Sequence, residues 1–298
     1  MVKTILITGD SGFIGKNLVE YLSKKEEYNV LAPSHSELEL LDEEAVDSFF
    51  ENNKIDVVIH TANFGGKRNQ KEFIDVQEKN IKMFSNLSKN SSKFGKMIFL
   101  GSGAEYDKRN DINKVSESDF GESVPVDDYG KAKFECSKII QDMDNVVNLR
   151  LFGVFGKYED YEIRFISNII CRVIFDLPVE VNQNMFLDYV YTKDLCKVIE
   201  FFVENNVKDK FYNVGNGQHV DLLTIAEKIK QVSGKSFEIL VKKEGMNKEY
   251  TCDNSRLIEE LGKDGFEFKD IDKSIKELYK WYEENKDKIS KENLLRLD

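Results

Sequence analysis

Residues 3–23 read KTILITGDSGFIGKNLVEYLS, and their order decides the fold. Thr4 to Thr8 (TILIT) form an apolar run, the pattern of a parallel strand covered on both faces. Gly9, Gly12 and Gly15 follow, and Leu18, Val19 and Leu22 then recur at helical spacing. A turn of this kind offers backbone N–H groups and the positive end of a helix dipole, so it suits an anion. One glycine makes the tight turn, another leaves room for a pyrophosphate against the backbone, and the third lets helix pack closely on strand. A glycine triplet alone is equally a tight βα turn. Its place at the first crossover of a parallel sheet favours a dinucleotide cradle built from Gly9, Ser11, Gly12, Phe13, Ile14 and Gly15.

The alternation continues outward from this stretch. Strands are expected at 29–32, 55–60, 96–101 and 146–151, with helices at 44–52, 73–92 and 131–143 between them. Right-handed crossovers then give an α/β fold with a Rossmann-type, doubly wound parallel sheet. Beyond about residue 155 the pattern weakens to a helix at 164–175, a short strand at 178–181, a strand and helix within 186–204, and a charged, mostly helical tail over 222–298. The expected domains are an NAD(P)-binding Rossmann domain, 1–155 with 186–210 returning to it, and a smaller, mostly helical α/β substrate lobe from 156–185 and 211–298. Leu278, Trp281 and Tyr282 share a helical face and read as core.

A chain of 298 residues with 41% hydrophobic content can bury a large core. The net charge of -11 argues against nucleic acid and anionic membrane surfaces as partners, because phosphate contacts need an excess of Lys and Arg. No stretch approaches the roughly 18 apolar residues of a spanning helix, and the chain runs into its first strand with no apolar leader. Cys136, Cys171, Cys196 and Cys252 form no CxxC pair, and His35, His60 and His219 lack metal-ligand spacing. Free thiols, no structural metal and a cytoplasmic location are therefore expected.

Two further stretches bear on cofactor and chemistry. An acid at the end of the second strand, about 20 residues beyond the glycines, would hold the ribose of NAD. The chain reads Ala32-Pro33-Ser34-His35 there, and these two donors in place of an acid favour NADP over NAD. In DDYGKAKFE (127–135), Tyr129 and Lys133 share a helix face. A phenol, with an ordinary pKa of about 10, exchanges protons usefully near neutrality when an ammonium stabilises its anion. Ser102 ends the fourth strand at the carboxyl edge of the sheet, where its hydroxyl can hold a substrate carbonyl while Tyr129 transfers a proton. His60 reads as a core or loop residue, Asn80 as a helix-surface residue and Arg150 as structural.

TGDSGFIG (8–15), GSGAEY (101–106), YGKAK (129–133), LDYVYTKDL (187–195) and FYNVGNGQHVDLLTIAEKI (211–229) together resemble the extended short-chain dehydrogenase/reductase family, nucleotide-sugar branch, over nearly the whole chain. SELELLDEEAVDSFFENNKIDVVIHTA (36–62) is most similar to the GDP-fucose synthases and related 4-keto-sugar reductases, which use NADP. The resemblance implies that Asp42 faces the adenine, that Thr61 and Ala62 line the cofactor, that Asn80 is an active-site hydrogen-bonder beside the cofactor, and that helices 73–92 and 126–143 pair across the twofold axis of a homodimer.

Departures from the family pattern narrow the chemistry. Gly103 and Ala104 stand where the 4,6-dehydratases carry Asp-Glu, with Glu105 one place late, so dehydration is not expected. Ala104 also replaces the cysteine that serves epimerisation in GDP-fucose synthase. Leu187 stands where an Arg usually holds substrate phosphates, and Gly153 replaces an Asn or Pro. Arg164, Arg172 and Lys157 become the candidates to face a diphosphate, with Gly103 beside the sugar. The expected activity is NADPH-dependent reduction of a 4-keto nucleotide sugar, deoxyhexose or heptose. The same residues would serve an NAD-retaining 4-epimerase, whereas a non-enzymatic NAD(P)-binding sensor would typically lack the tyrosine.

Overall fold

In β1 (Lys3–Thr8), Ile5 and Ile7 enter one apolar cluster and Leu6 another, so the sheet has to be covered on both faces. The computed structural model describes residues 2–65, 74–262 and 265–295. After β1 come α1 (Phe13–Leu22), β2 (Tyr28–Leu31), α2 (Glu43–Asn52), β3 (Ile55–His60), α3 (Val76–Lys89) and β4 (Phe94–Ser102). The middle of the chain carries β5 (Ile112–Val115), α4 (Asp128–Gln141), β6 (Val146–Leu151), β7 (Gly153–Phe155), α5 (Phe165–Ile174) and β8 (Val179–Asn184). Then follow β9 (Phe186–Leu187), β10 (Tyr189–Tyr191), α6 (Thr192–Glu204), β11 (Phe211–Val214), β12 (Val220–Asp221) and α7 (Leu222–Ser233). The last elements are β13 (Ile239–Met246), β14 (Tyr250–Cys252), α8 (Ser255–Leu261), α9 (Ile271–Glu284) and α10 (Lys291–Leu295).

Six parallel strands form the main sheet in the order β2-β1-β3-β4-β6-β11. Because β2 leaves β1 on one side and β3 on the other, a crevice opens at their carboxyl ends. Leu18 and Leu22 of α1, Val198 and Phe202 of α6 and Leu257 of α8 pack on one face. Val46 of α2, Phe84 and Leu87 of α3 and Ile140 of α4 pack on the other. Phe73, the expected start of the third helix, lies outside the described residues.

The tail carries the expected helices, α7 to α10, together with two strands that the sequence reading did not place. β13 pairs with β8, and β14 joins β5, β9 and β12 in a four-stranded sheet. β13 is largely exposed along its length and β14 spans three residues, so neither carries the alternation that marks a strand in sequence. β11, expected in the substrate lobe, completes the main sheet beside β6. The second lobe has its own core of α5, α7 and α9, in which Leu278 and Tyr282 are buried and Trp281 packs at the margin. All four cysteines are free and buried. Among the described residues no helix is long and apolar enough to cross a membrane.

Candidate active site

The cradle begins at Gly12, the N-cap of α1, where no side chain caps the helix and no acid occupies the first turn. The Gly12 amide donates to Gly9 O at 3.0 Å, folding the turn back on itself. Gly9 has φ +77°, and a Cβ there would lie 2.7 Å from the Ala62 nitrogen; one on Gly15 would lie 2.0 Å from Gly9 O. The exits of β1 and β3 are laced together: Thr61 Oγ1 donates to Thr8 O at 2.7 Å, and Thr8 Oγ1 and His60 Nδ1 stand 2.8 Å apart. An uncapped helix start on a floor without side chains fits a pyrophosphate. Thr61 and Ala62 adjoin it, and Ser11 is exposed in the turn ahead of Phe13 and Ile14.

Burial, aided by the charge of Lys133, pushes His60 down to about 3, so it is a neutral core residue. Asn80 is buried as well. Its Oδ1 accepts from the Phe64 amide at 2.9 Å and its Nδ2 donates to Phe64 O at 2.9 Å and Val76 O at 2.7 Å. The side chain therefore holds the loop beyond Ala62 to α3.

The turn after β2 is less open to a phosphate than its sequence implied. Ser34 donates through both its amide and its hydroxyl to Glu37 Oε2, each at 2.7 Å. The Glu37 and Leu38 amides donate to Ser34 O at 2.9 and 3.0 Å, and this tight turn brings the acid back onto the serine. His35 is exposed and pairs with Glu39 at 3.0 Å. Asp42 caps α2, accepting from the Glu44 and Ala45 amides at 3.0 and 3.2 Å.

Asp127 caps α4 by accepting from the Gly130 amide at 2.9 Å, which sets Tyr129 in the first turn and Lys133 one turn on. Lys133 is buried; its Nζ donates to Leu100 O at 2.7 Å and lies 5.9 Å from the centre of the Tyr129 ring. The ammonium is thus fastened to the end of β4 beside the phenol. Ser102 caps the short turn Gly103–Tyr106, its Oγ accepting from the Ala104 amide at 3.1 Å.

Glu105 was read in sequence only as a displaced acid. Its Oε1 accepts from the Ser102 amide at 3.0 Å, and its Oε2 accepts from Arg150 Nε at 2.7 Å and Ser137 Oγ at 2.5 Å. Arg150 lies between the rings of Phe120 and Phe211, 4.4 and 4.7 Å from their centres. This network ties the Ser102 turn to β6 and to α4 one turn beyond Lys133. Its signal in the sequence was two opposite charges set in otherwise buried segments.

The expected substrate cations separate. Arg172 is buried and donates to Asn168 Oδ1 at 3.1 Å, Pro178 O at 2.9 Å and Leu294 O at 3.0 Å. It joins α5 to β8 and α10, which corrects its reading as a substrate contact. Lys157 pairs with Glu20 of α1. Arg164 is exposed at the N-cap of α5. Lys108, which the sequence did not single out, lies 5.5 Å from the centre of the Tyr129 ring.

The sequence profile of the NAD dependent epimerase/dehydratase family matches residues 5–215. GDP-L-colitose synthase of Yersinia pseudotuberculosis is 23% identical over 253 residues, 77% of this chain and 82% of that protein. GDP-6-deoxy-D-talose 4-dehydrogenase of Aggregatibacter actinomycetemcomitans is 25% identical, covering 93% of this chain and 97% of its own. The solved GDP-mannoheptose C4 reductase of Campylobacter jejuni with NADP bound superposes with a TM-score of 0.79 at 22% identity, over 94% of this chain and 98% of that one. Dehydratases and epimerases are also among the matches.

Proposed function

The chain belongs to the NAD dependent epimerase/dehydratase family, and on that premise we propose that it reduces a 4-keto nucleotide sugar, of the deoxyhexose or heptose type, with NADPH. The observation that supports this reading is the position of the Lys133 ammonium, beside Tyr129 and fixed to Leu100 O, two residues before Ser102. The curated relatives that act on GDP-linked sugars support the substrate class.

Bound along the glycine turn, with Thr61, Ala62 and Lys133 beside it, the reduced nicotinamide would supply hydride to the carbonyl carbon. Ser102 orients the carbonyl oxygen by hydrogen bond, and Tyr129 delivers its proton to that oxygen as negative charge develops there. Lys133 stabilises the phenolate left behind. Ser34 and His35 receive the 2'-phosphate of NADPH once Glu37 turns away from Ser34. Arg164 and Lys108 face the substrate diphosphate. Glu105 takes no part as an acid, because both of its oxygens are engaged in the core. The protein pairs through α3 and α4 as a homodimer, which its mass in solution will test.

Glu37 on Ser34 favours a second reading, a nucleotide-sugar 4-epimerase that retains NAD, since a carboxylate in that turn suits ribose hydroxyls. One experiment separates the two. Purified protein is mixed with NADPH, then NADH, and a panel of GDP-, UDP-, dTDP- and ADP-linked 4-keto sugars while the near-ultraviolet absorbance of the reduced cofactor is followed. Stoichiometric loss of absorbance with one sugar supports the reductase. No loss, together with NAD found on the protein as purified, supports the epimerase.

A further inference from the structure

Between the turn that carries Ser102 and the helix that carries Tyr129 the chain makes one long excursion, 107–124, and a single carboxylate closes its neck. Asp107 follows the Gly103–Tyr106 turn directly, and its side chain is 2% exposed. Its Oδ1 accepts from the Arg109 amide at 3.1 Å and from Arg109 Nε at 3.0 Å. Its Oδ2 accepts from Arg109 Nε and Nη2 at 3.1 and 2.8 Å, and from Ser123 Oγ, sixteen residues on, at 2.6 Å. The same guanidinium donates to Val124 O at 3.1 Å. Both ends of the excursion are thus tied to one group, through a charged bidentate fork of the strong kind. The backbone of Asp107 has φ +63° and ψ 94°, a left-handed conformation that persists in a residue with a side chain only where its surroundings hold it.

The neck lies against the reaction centre. A Cβ on Gly130 would stand 3.0 Å from Ala104 O and 2.8 Å from Pro125 Cβ, so the first turn of α4 rests on the Ser102 turn and on the chain leaving Val124. Lys108, the residue after Asp107, lies over the Tyr129 ring, 5.5 Å from its centre. The excursion is also laced to the substrate lobe. Lys248 Nζ donates to Arg109 O, the Glu249 amide to Asp111 Oδ1 at 2.5 Å, and the Ile112 amide to Glu249 O at 3.1 Å. Without a tie at the neck, a shift of that lobe would reach the start of α4 through the loop. We propose that Asp107 is a positioning residue: by closing the neck it sets the Tyr129 phenol at proton-transfer distance from the oxygen that Ser102 holds. The Arg109 fork and the Ser123 hydroxyl hold the Asp107 carboxyl well below the usual carboxylate range, so the tie stays charged near neutrality. The inference rests on the proposed roles of Ser102 and Tyr129 and deepens them.

The test follows NADPH oxidation by Asp107→Gly, Ser123→Ala, Tyr129→Phe and the Asp107→Gly/Tyr129→Phe pair, with a GDP-linked 4-keto-6-deoxyhexose or whichever sugar in the panel turns over fastest. Glycine accepts the left-handed φ, so Asp107→Gly removes the carboxylate without straining the backbone. The expected result is a fall in kcat of about ten- to a hundredfold, the scale of a displaced reacting group, with the NADPH Kd from a fluorescence titration unchanged. In the Tyr129→Phe background the same change should lower kcat no further, because the group it positions is gone; a general loosening of the structure would lower that residual rate too. Ser123→Ala leaves the Arg109 fork in place. It should keep the wild-type unfolding midpoint and lose kcat several-fold, and it carries the test alone if Asp107→Gly does not fold. A wild-type kcat in whichever of these variants folds, or losses that multiply in the pair, would overturn the proposal. If Tyr129→Phe itself turns over at the wild-type rate, the reading of Tyr129 has failed, an outcome distinct from a dispensable clasp beside an essential phenol.

Discussion

Glu105 and Arg150 form an ion pair of 2.7 Å whose side chains are 0% and 1% exposed, and the same carboxylate holds the amide of Ser102 at 3.0 Å. Removing one partner of such a pair leaves a buried charge uncompensated, at a cost of about 3–5 kcal/mol. Arg150→Met should therefore lower the denaturant midpoint strongly, and kcat should fall because the Ser102 turn loses its anchor. The double variant Glu105→Gln/Arg150→Met should recover part of the lost stability in the same unfolding measurement.

Two other buried groups set how stability depends on pH. Burial pushes Glu159 up to about 8 from an ordinary 4.5, while Ser167 donates to it at 2.5 Å. Between those values the native state holds the extra proton, so stability falls as pH rises through that window. His60, held down to about 3 from 6.5, works in the opposite sense: the unfolded chain binds the proton, and stability falls as pH drops from 6.5 towards 3. The two slopes oppose each other between 4.5 and 6.5, so the decline due to Glu159 emerges above 6.5. Glu159→Gln should remove that upper decline, bringing the denaturant midpoints at about pH 6 and pH 8 together.

Glu37 occupies the donors that a 2'-phosphate would use, with Ser34 Oγ at 2.7 Å. Glu37→Ala should free both donors and remove a repelling charge. The Kd ratio of NADH to NADPH, read by fluorescence titration, should shift towards NADPH by about tenfold. A ratio unchanged from the wild type would place the phosphate elsewhere.

Lys108 stands over the Tyr129 ring at 5.5 Å, and Arg164 is exposed at the start of α5. If each meets the substrate diphosphate, Lys108→Ala and Arg164→Ala should raise KM for the nucleotide sugar several-fold with kcat little changed, and salt should narrow the difference from the wild type. A change confined to kcat would assign them to the chemistry instead.

The main sheet was legible because its strands are apolar in short runs bounded by helical periods, and β3 and β6 fall on the residues expected. The glycine turn was legible for the same reason: close approach admits few residue types, and Gly9 against Ala62 is such an approach. Less visible was whatever depends on chain returning from far away. Tyr250 reaches Gly103 from a strand of three residues, and Glu105 meets Arg150 across two adjacent strand ends; neither contact leaves a local period. Glu37 was missed for a different reason, since the acid was sought at the end of β2 while the turn beginning at Ser34 brings it back from three residues on. Arg172 shows the converse error, a cation placed near the site by sequence distance whose side chain binds carbonyl groups of its own lobe.

If Tyr129 gives the proton to the substrate oxygen, Tyr129→Phe should remove most of the turnover and leave the fold and the cofactor site intact. The measurement is the steady-state oxidation of NADPH with a 4-keto nucleotide sugar, alongside a fluorescence titration of the cofactor and a thermal unfolding curve. Unfolding and cofactor affinity should be unchanged, with kcat lowered by about 10²–10⁴, the range of a lost general acid. A Tyr129→Phe enzyme that binds cofactor and turns over at the wild-type rate would contradict that role of Tyr129.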